Sequence, residues 1–587
     1  MKAKKTNIMK NRSQTLLFIL ASLITIITVF NSCEEFLDPA PGDRISKSDH
    51  FQSVDDADAA IKGIYGKFME LADQFVIMNE LRADLMDVTR NANRHLRDMN
   101  LHQVEDDNPY ADPQPFFSLI NDCNDALANF DAMLEDLKMS EAEYNQRYSD
   151  IVSLRSWLYL QLVIHYGEVP YITQPLNNVS DIEGLTDGSF PMLKIESMVD
   201  TLVGEMESLS YLSGYTDQSM QTTIDGYNTR LMFIHKPFLL GNLYLWQGEY
   251  LKAASTYKDI LESEPATGNQ YDWFKLPYAG DPWTLDKYNS GYERYYWQDT
   301  SSAINHWPLM FEEEPSYDYY NEWIWVLYYD EDYAPVNPFL DDFSKKAGNY
   351  YFKPSASIVE NWESQIQNNG FMGDFRGETG SYEMINNDPV ITKHIAGYST
   401  INPFDKSGKW FLWRAGMLHL RFMEAANRDG KLEVAYALLN QGIRSYYSVP
   451  GAIDITELER TNLPYPYNFD GRMGSPWQIP AGVRGTWHRN IGVRGRVNLA
   501  SVDYPDGNDS TQVMENHIID EAARELAFEG HRWADLVRVA IRRDDPSYLA
   551  DKIYNKLNEA GYAEASDVRQ KLMNRENWFL PLKSKEE

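Results

Sequence analysis

The stretch Ile518–Arg538, IIDEAARELAFEGHRWADLVR, lays two patterns over each other. Ile519, Ala523, Leu526, Gly530, Trp533 and Val537 recur at spacings of four and three, the stripe of a helix packed on a core. Around that stripe, Glu521, Arg524, Glu525, Glu529, Arg532, Asp535 and Arg538 place opposite charges three or four residues apart. An exposed pair at that spacing is worth ~0.3–0.5 kcal/mol. Gly530 gives up ~1 kcal/mol of helix propensity against Ala, which makes sense where another backbone must come close. The stretch therefore reads as one signature helix over 515–540. Its half-buried ion pairs fix how it docks, and they read as structural rather than as a catalytic carboxylate site.

The same residues resemble a family signature, E-x-x-R-E-L-x-F-E-G-x-R-W-x-D-L-x-R, carried by Glu521, Arg524, Glu525, Leu526, Phe528, Glu529, Gly530, Arg532, Trp533, Asp535, Leu536 and Arg538. It is similar to the C-terminal signature of the SusD/RagB-like outer-membrane nutrient-binding lipoproteins. Three further stretches resemble the family: Phe36-Leu37-Asp38-x-x-Pro41, Leu154-Arg155-x-Trp157-x-Tyr159, and Trp578-Phe579-Leu580-Pro581. The resemblance implies a mostly α fold. A tetratricopeptide-like scaffold of about four helix pairs would lie beneath an irregular, loop-rich half that binds ligand. It also implies capture of oligosaccharide at the cell surface and delivery to a SusC-like TonB-dependent transporter. RagB-like relatives take peptides instead.

The N-terminus is compatible with that setting. Lys2, Lys4, Lys5, Lys10 and Arg12 precede an apolar run, Leu16–Phe30, and then Asn31-Ser32-Cys33. This reads as a lipoprotein signal over 1–32, with Cys33 as the acylated first residue of a tether over 33–50. Phe30 and Asn31 depart from the usual Leu-Ala/Ser before the cysteine. Glu34 and Glu35 resemble the acidic surface-export tag of lipoproteins from the Bacteroidota. The expected location is the outer membrane, lipid-anchored and facing the cell exterior. Cys123 is the only other cysteine, so once Cys33 is acylated no internal disulfide can form. Removing the five basic residues of 1–32, a stretch without acidic residues, takes the formal net charge from −33 to −38. Such a chain does not seek nucleic acid or an anionic lipid surface.

Residues 51–587 read as a single domain, with helical repeats mainly in 51–265 and 408–445. A helix from about Val54 carries Ala57, Ala60, Ile61, Ile64, Tyr65 and Phe68 on one face, and helices over 116–137 and 144–166 form a pair closed by Gly167 and Pro170. Leu240-Gly241-x-x-Tyr244, Ala253-x-x-x-Tyr257 and Pro265 follow the tetratricopeptide spacing, with Pro237 where that consensus has Trp. A weaker echo runs from Phe422 to Leu439 with Gly430 in the turn. His165, on an apolar side, reads as a core histidine.

The texture changes between Tyr271 and Tyr333, where 20 of 63 positions are aromatic against 13% for the chain. No helical period organises them, and prolines and glycines interrupt them throughout the loop-rich segment of about 270–400. A pyranose offers an apolar C–H face to a flat ring, and its hydroxyls bond to amides and carboxylates, so such a texture suits sugar recognition. Trp283, Trp297, Trp307 and Trp323 are the candidate stacking residues, with Asn91 and Asn93 in the loop Arg90–Arg94 that the resemblance points to. The basic island Arg484, Arg489, Arg494 and Arg496 is expected to meet internal carboxylates.

No P-loop, H-E-x-x-H, C-x-x-C or G-x-S-x-G pattern is present. Glu312-Glu313-Glu314 gives a surface glycoside hydrolase only a weak footing, because consecutive carboxylates do not face each other across a glycosidic bond. Asp503, Asp506 and Asp509 have calcium-type donors without the EF-hand spacing and read as a polar turn. The expectation is a binding protein, not an enzyme, without metal or cofactor. Replacing Cys33 by Ala is expected to release the protein from the outer membrane, as read by membrane fractionation. Unchanged retention would refute the lipid anchor.

Overall fold

A computed structural model describes residues 51–177, 190–215, 219–224, 227–263, 307, 310–311, 322–448, 459–472, 485–488 and 490–582. Helix α1 (Val54–Met69) carries Asp55 and Asp56 in its first turn, where the helix dipole favours carboxylates. Its stripe of Ala57, Ile61, Ile64, Tyr65 and Phe68 is buried, as the spacing requires. Helices α2 (Gln114–Glu135) and α3 (Glu141–Tyr166) form the first pair. Helix α3 starts on a capping box of Ser140 and Glu143, and stops at Gly167 with φ 78°.

After α4 (Ile195–Ser208) come α5 (Lys236–Gln247) and α6 (Tyr250–Leu261), the pair with the tetratricopeptide spacing. Gly241 is small for a steric reason: a Cβ there would lie 2.6 Å from Cε1 of Tyr257. The pair is cross-tied by the Tyr257 hydroxyl, which donates to Asn242 Oδ1 at 2.8 Å. Helices α7 (Ala415–Arg428) and α8 (Leu432–Leu439) turn through Gly430 at φ 73°. The C-terminal helices are α9 (Ser510–Glu525), α10 (Arg532–Arg543), α11 (Ser547–Glu559) and α12 (Ala565–Leu572). Packing is nearest-neighbour: α2 on α3, α3 on α4, α4 on α5, α5 on α6, α6 on α7, and α7 on both α8 and α9. That succession is the hallmark of a helical-repeat scaffold. Pair α11–α12 adds a fourth unit, which the sequence spacing did not disclose.

The other half is built of short pieces. Strand β1 (Met86–Val88) pairs antiparallel with β3 (Phe352–Pro354), and β2 (Trp323–Tyr329) pairs antiparallel with β4 (Gly408–Arg414). Every residue of WIWVLYY in β2 is buried, which explains a continuous apolar run in place of alternation. Trp325 of β2 lies 4.6 Å from Trp413 of β4, stacks on Phe68 of α1 at 5.4 Å, and meets Trp157 of α3 edge-on at 5.5 Å. Aromatic rings thus join the strand pair to two helices of the scaffold.

The expected single signature helix is two. Helix α9 ends at Glu525 and α10 begins at Arg532, with Phe528 at φ 69° and Gly530 at φ 87° between them. The charges and apolar residues keep a helical period on either side of the break, so periodicity alone runs straight through it. Gly530 is needed for its left-handed backbone and for Phe75, whose ring would lie 2.2 Å from a Cβ at that position. The group that comes close is a ring, not a backbone. The unpaired N–H groups at the start of α10 are met from far away in sequence. Glu80 Oε1 accepts from the amides of Gly530 at 2.8 Å and His531 at 3.0 Å, and Glu80 Oε2 accepts from Phe528 at 3.2 Å. Replacing Gly530 by Ala is expected to cost on the order of 2–4 kcal/mol, by overpacking against Phe75 and by backbone strain. A denaturant titration that left the midpoint unchanged would contradict it.

Candidate functional site

The signature residues form a buried electrostatic frame. Glu525 accepts from Arg376 and from Arg414 at 2.7 Å each, and pairs with Arg496. Glu521 takes Arg376 and Arg524 at 2.6 Å and Arg494 at 2.8 Å. Glu529 holds Arg414 at 2.8 Å and Lys393 at 2.7 Å. Arg532 pairs with Asp84 at 2.6 Å, while Asp535 takes Arg421 at 2.6 Å and Arg538 at 2.9 Å. Trp533 is fully buried beneath the Arg82 guanidinium, 4.1 Å from its ring centre. The frame is buried, not half-buried as its exposed-pair spacing suggested. Arg494 and Arg496 of the basic island pair internally, as expected; Arg484 and Arg489 lie outside the described residues.

Burial alone would lift the Glu529 carboxyl, but the Arg414 guanidinium and the Lys393 ammonium outweigh it and hold the group at about 2. The same contest, won by Arg496, Arg414 and Arg376, depresses Glu525. These carboxylates stay charged at neutral pH with their cations already committed, so they are structural. Glu80 is the opposite case: burial pushes its carboxyl up to about 7 against the pull of the backbone N–H groups it accepts from.

The predicted ligand residues fall into three groups. Trp283, Trp297 and Glu312-Glu313-Glu314 lie outside the described residues, as does Cys33. Trp307 and Trp323 are 1% and 2% exposed. Trp307 packs edge-on against Phe311 at 5.5 Å, and the Trp323 indole donates to the Met310 carbonyl at 3.2 Å. In this structure their faces are covered by core, which removes them as stacking surfaces; aromatic density could not separate core rings from surface rings. Asn91 and Asn93 are exposed in the loop between β1 and the helix Arg94–Asn100. Asn91 Nδ2 donates to the Asn349 carbonyl at 2.9 Å, tying the loop to the loop-rich half. Asn93 caps the helix, accepting from Leu96 N at 3.0 Å, and donates to the Tyr110 hydroxyl at 3.2 Å. His165 is a core residue, fully buried with Nδ1 3.1 Å from Arg82. Asp503, Asp506 and Asp509 gather no metal site: among the described residues, no group of three or more His, Cys, Asp or Glu is placed to hold an ion.

One described member of the aromatic stretch does face outward. Tyr333 is 68% exposed at the rim of a cavity of about 240 Å³ between α1 and the end of β2. Tyr65, Met69, Phe233 and Tyr328 give it an apolar floor, and Lys62 and Asp330 are the charged residues of its lining. Gly66 opens directly on free space, with nothing within 4 Å of a Cβ built there. A flat ring above an apolar floor, with a carboxylate and an ammonium beside it, can hold the C–H face of a sugar and bond its hydroxyls. The sequence signal for Tyr333 was only its place at the end of the aromatic stretch.

The fold agrees with that of known proteins. Residues 490–586 match the sequence profile of the SusD family. A SusD superfamily protein from Bacteroides vulgatus shares the fold at 13% identity and a TM-score of 0.55, over 91% of this chain and 96% of its own. A SusD-like carbohydrate binding protein from the same organism aligns at 16% identity and a TM-score of 0.52, over 84% of each chain. Surface glycan-binding protein A from Bacteroides uniformis aligns at 14% identity and a TM-score of 0.50, over 84% of this chain and 90% of that one. The chain thus carries a SusD-family profile over residues 490–586 and shares the mostly helical fold of these structures, with its signature stretch built into the core. No curated protein matches its sequence.

The frame carries a pH signature. The folded carboxyl of Glu529 sits at about 2 against an ordinary 4.5, so its stabilisation is full above about 4.5 and is lost as pH falls through 2. Replacing Glu529 by Gln is expected to destabilise the protein at pH 7 by about 3–5 kcal/mol, because Arg414 and Lys393 lose a buried partner. It should also flatten the acid limb of the stability–pH curve. An unchanged acid limb would remove Glu529 from the account.

Proposed function

We propose that the protein is a lipid-anchored, cell-surface glycan-binding protein that captures oligosaccharide and passes it to a SusC-like TonB-dependent outer-membrane transporter, breaking no bond. The observation that carries this reading is Tyr333, an exposed ring over an apolar cavity at the end of an aromatic-rich segment, on a SusD-superfamily fold. Two proteins that share this fold, a SusD-like carbohydrate binding protein and a surface glycan-binding protein, support the same ligand class. Binding rests on ring stacking and hydrogen bonds to hydroxyls, with Asn91, Trp283 and Trp297 as further contacts. Among the described residues no helix is long and apolar enough to cross a membrane. The proposed anchor is the acylated Cys33.

The mature lipoprotein, purified in detergent, is expected to bind a polysaccharide from a panel without generating reducing ends. Tyr333→Ala should weaken that binding by ~0.5–1.5 kcal/mol, the scale of an aromatic ring contact. New reducing ends would show a hydrolase, and binding of peptides alone would move the protein to a RagB-like role.

A further inference from the structure

A second cavity, of about 590 Å³, lies on the outer side of α8 and shares no lining residue with the one beneath Tyr333. Three tyrosines shape it. The Tyr436 ring lies 5.5 Å from that of Tyr446 and 5.0 Å from that of Tyr504, at interplanar angles of 59° and 66°. Tyr504 is 38% exposed, although rings that serve only as core are covered.

The walls are held in place before any ligand arrives. The Tyr436 hydroxyl donates to the Val502 carbonyl at 2.7 Å. Asn440 Oδ1 accepts from Val502 N at 2.9 Å, and Asn440 Nδ2 donates to the Tyr436 carbonyl, also at 2.9 Å. These bonds clamp the segment carrying Tyr504 against α8. What they leave at the rim is polar: Glu433, Ser445 and Ser501 are all exposed on the lining. Burial lifts the Tyr504 phenol, and the Glu433 carboxylate, whose field reaches the ring, lifts it further.

Rings meeting at steep angles, a carboxylate and hydroxyls at the rim, and a volume within the ~300–1,000 Å³ of small-ligand sites describe a saccharide site. Burial lifts the Tyr436 phenol and the field of Asp503 adds to it; that carboxylate and Glu433 together disfavour an anionic ligand. Rigid tyrosines lose little conformational entropy on binding, which suits weak, repetitive ligands.

We propose that the Tyr436–Tyr446–Tyr504 groove is a second saccharide-binding site, taking a short run of neutral sugar rings from the glycan that the Tyr333 side binds. This rests on the glycan-binding reading above. Two sites on one body give a long polysaccharide avidity that a short oligosaccharide lacks.

The test uses the mature lipoprotein in detergent with neutral xylan, arabinan, mannan and amylopectin, by affinity electrophoresis, followed by calorimetry with the matching heptasaccharide. The variants are Tyr446→Ala with Tyr504→Ala, and separately Glu433→Gln, each checked by circular dichroism. The expected result is polysaccharide affinity at least ten-fold weaker in both variants, with two heptasaccharide sites falling to one in the tyrosine variant. Unchanged affinity and site number would overturn the groove and leave glycan binding standing. Failure of the unaltered protein to bind any of the four, or its binding only peptides from a casein digest, would overturn both.

Discussion

Glu525 lies fully buried with the guanidinium groups of Arg376, Arg414 and Arg496 around it. Each guanidinium comes from a different part of the chain: a loop after the helix Ala356–Glu363, the end of β4, and the turn Gly495–Val497. A charge in that position is tolerable only when all its partners are present, since one uncompensated buried ion costs ~3–5 kcal/mol. Even the backbone nearby is adapted to it. A Cβ on Gly416 would lie 2.5 Å from Glu525 Oε1. The frame therefore locks the loop-rich half to the helical scaffold in one arrangement, and sliding either against the other would strand several charges at once.

That frame is the stretch Ile518–Arg538 seen from inside, and it shows where reading a sequence succeeds. The residue types, the pairing of charges and the apolar stripe were legible in Ile518–Arg538, because a three-to-four spacing is imposed by any helix. The break at Phe528–Gly530 was not, since the next helix resumes nearly in phase. Degree of burial was hidden too: the partners Arg376 and Arg414 stand more than a hundred residues away, where spacing carries no information. Gly241 and Gly430 were legible because a helix pair needs them at fixed offsets.

The loop-rich half was legible only as texture. A continuous apolar strand such as β2 and an exposed aromatic loop both raise ring density, so Trp323 and Tyr333, ten residues apart, looked alike. Burial separates them: one closes a core, the other stands over a cavity. The tyrosines of the α8 groove escaped notice for a different reason. They come from α8, the short helix Gly442–Tyr447 and one extended segment, and the last is held to α8 by the bonds that Asn440 and the Tyr436 hydroxyl make with Val502.

Glu80 holds the start of α10 across 450 positions of sequence. At roughly 5–20 residues per second of synthesis, the acceptor exists for about 20–90 seconds before its donors are made. Until then the turn at Ile77–Leu81 has nothing to cap, and Arg82 lacks the Trp578 carbonyl that its guanidinium bonds in the finished body. The early part of the chain is thus built around groups that only the last hundred residues can satisfy. A chain of this design cannot complete its core until its tail arrives, so its final packing waits on the end of synthesis whatever its early helices do.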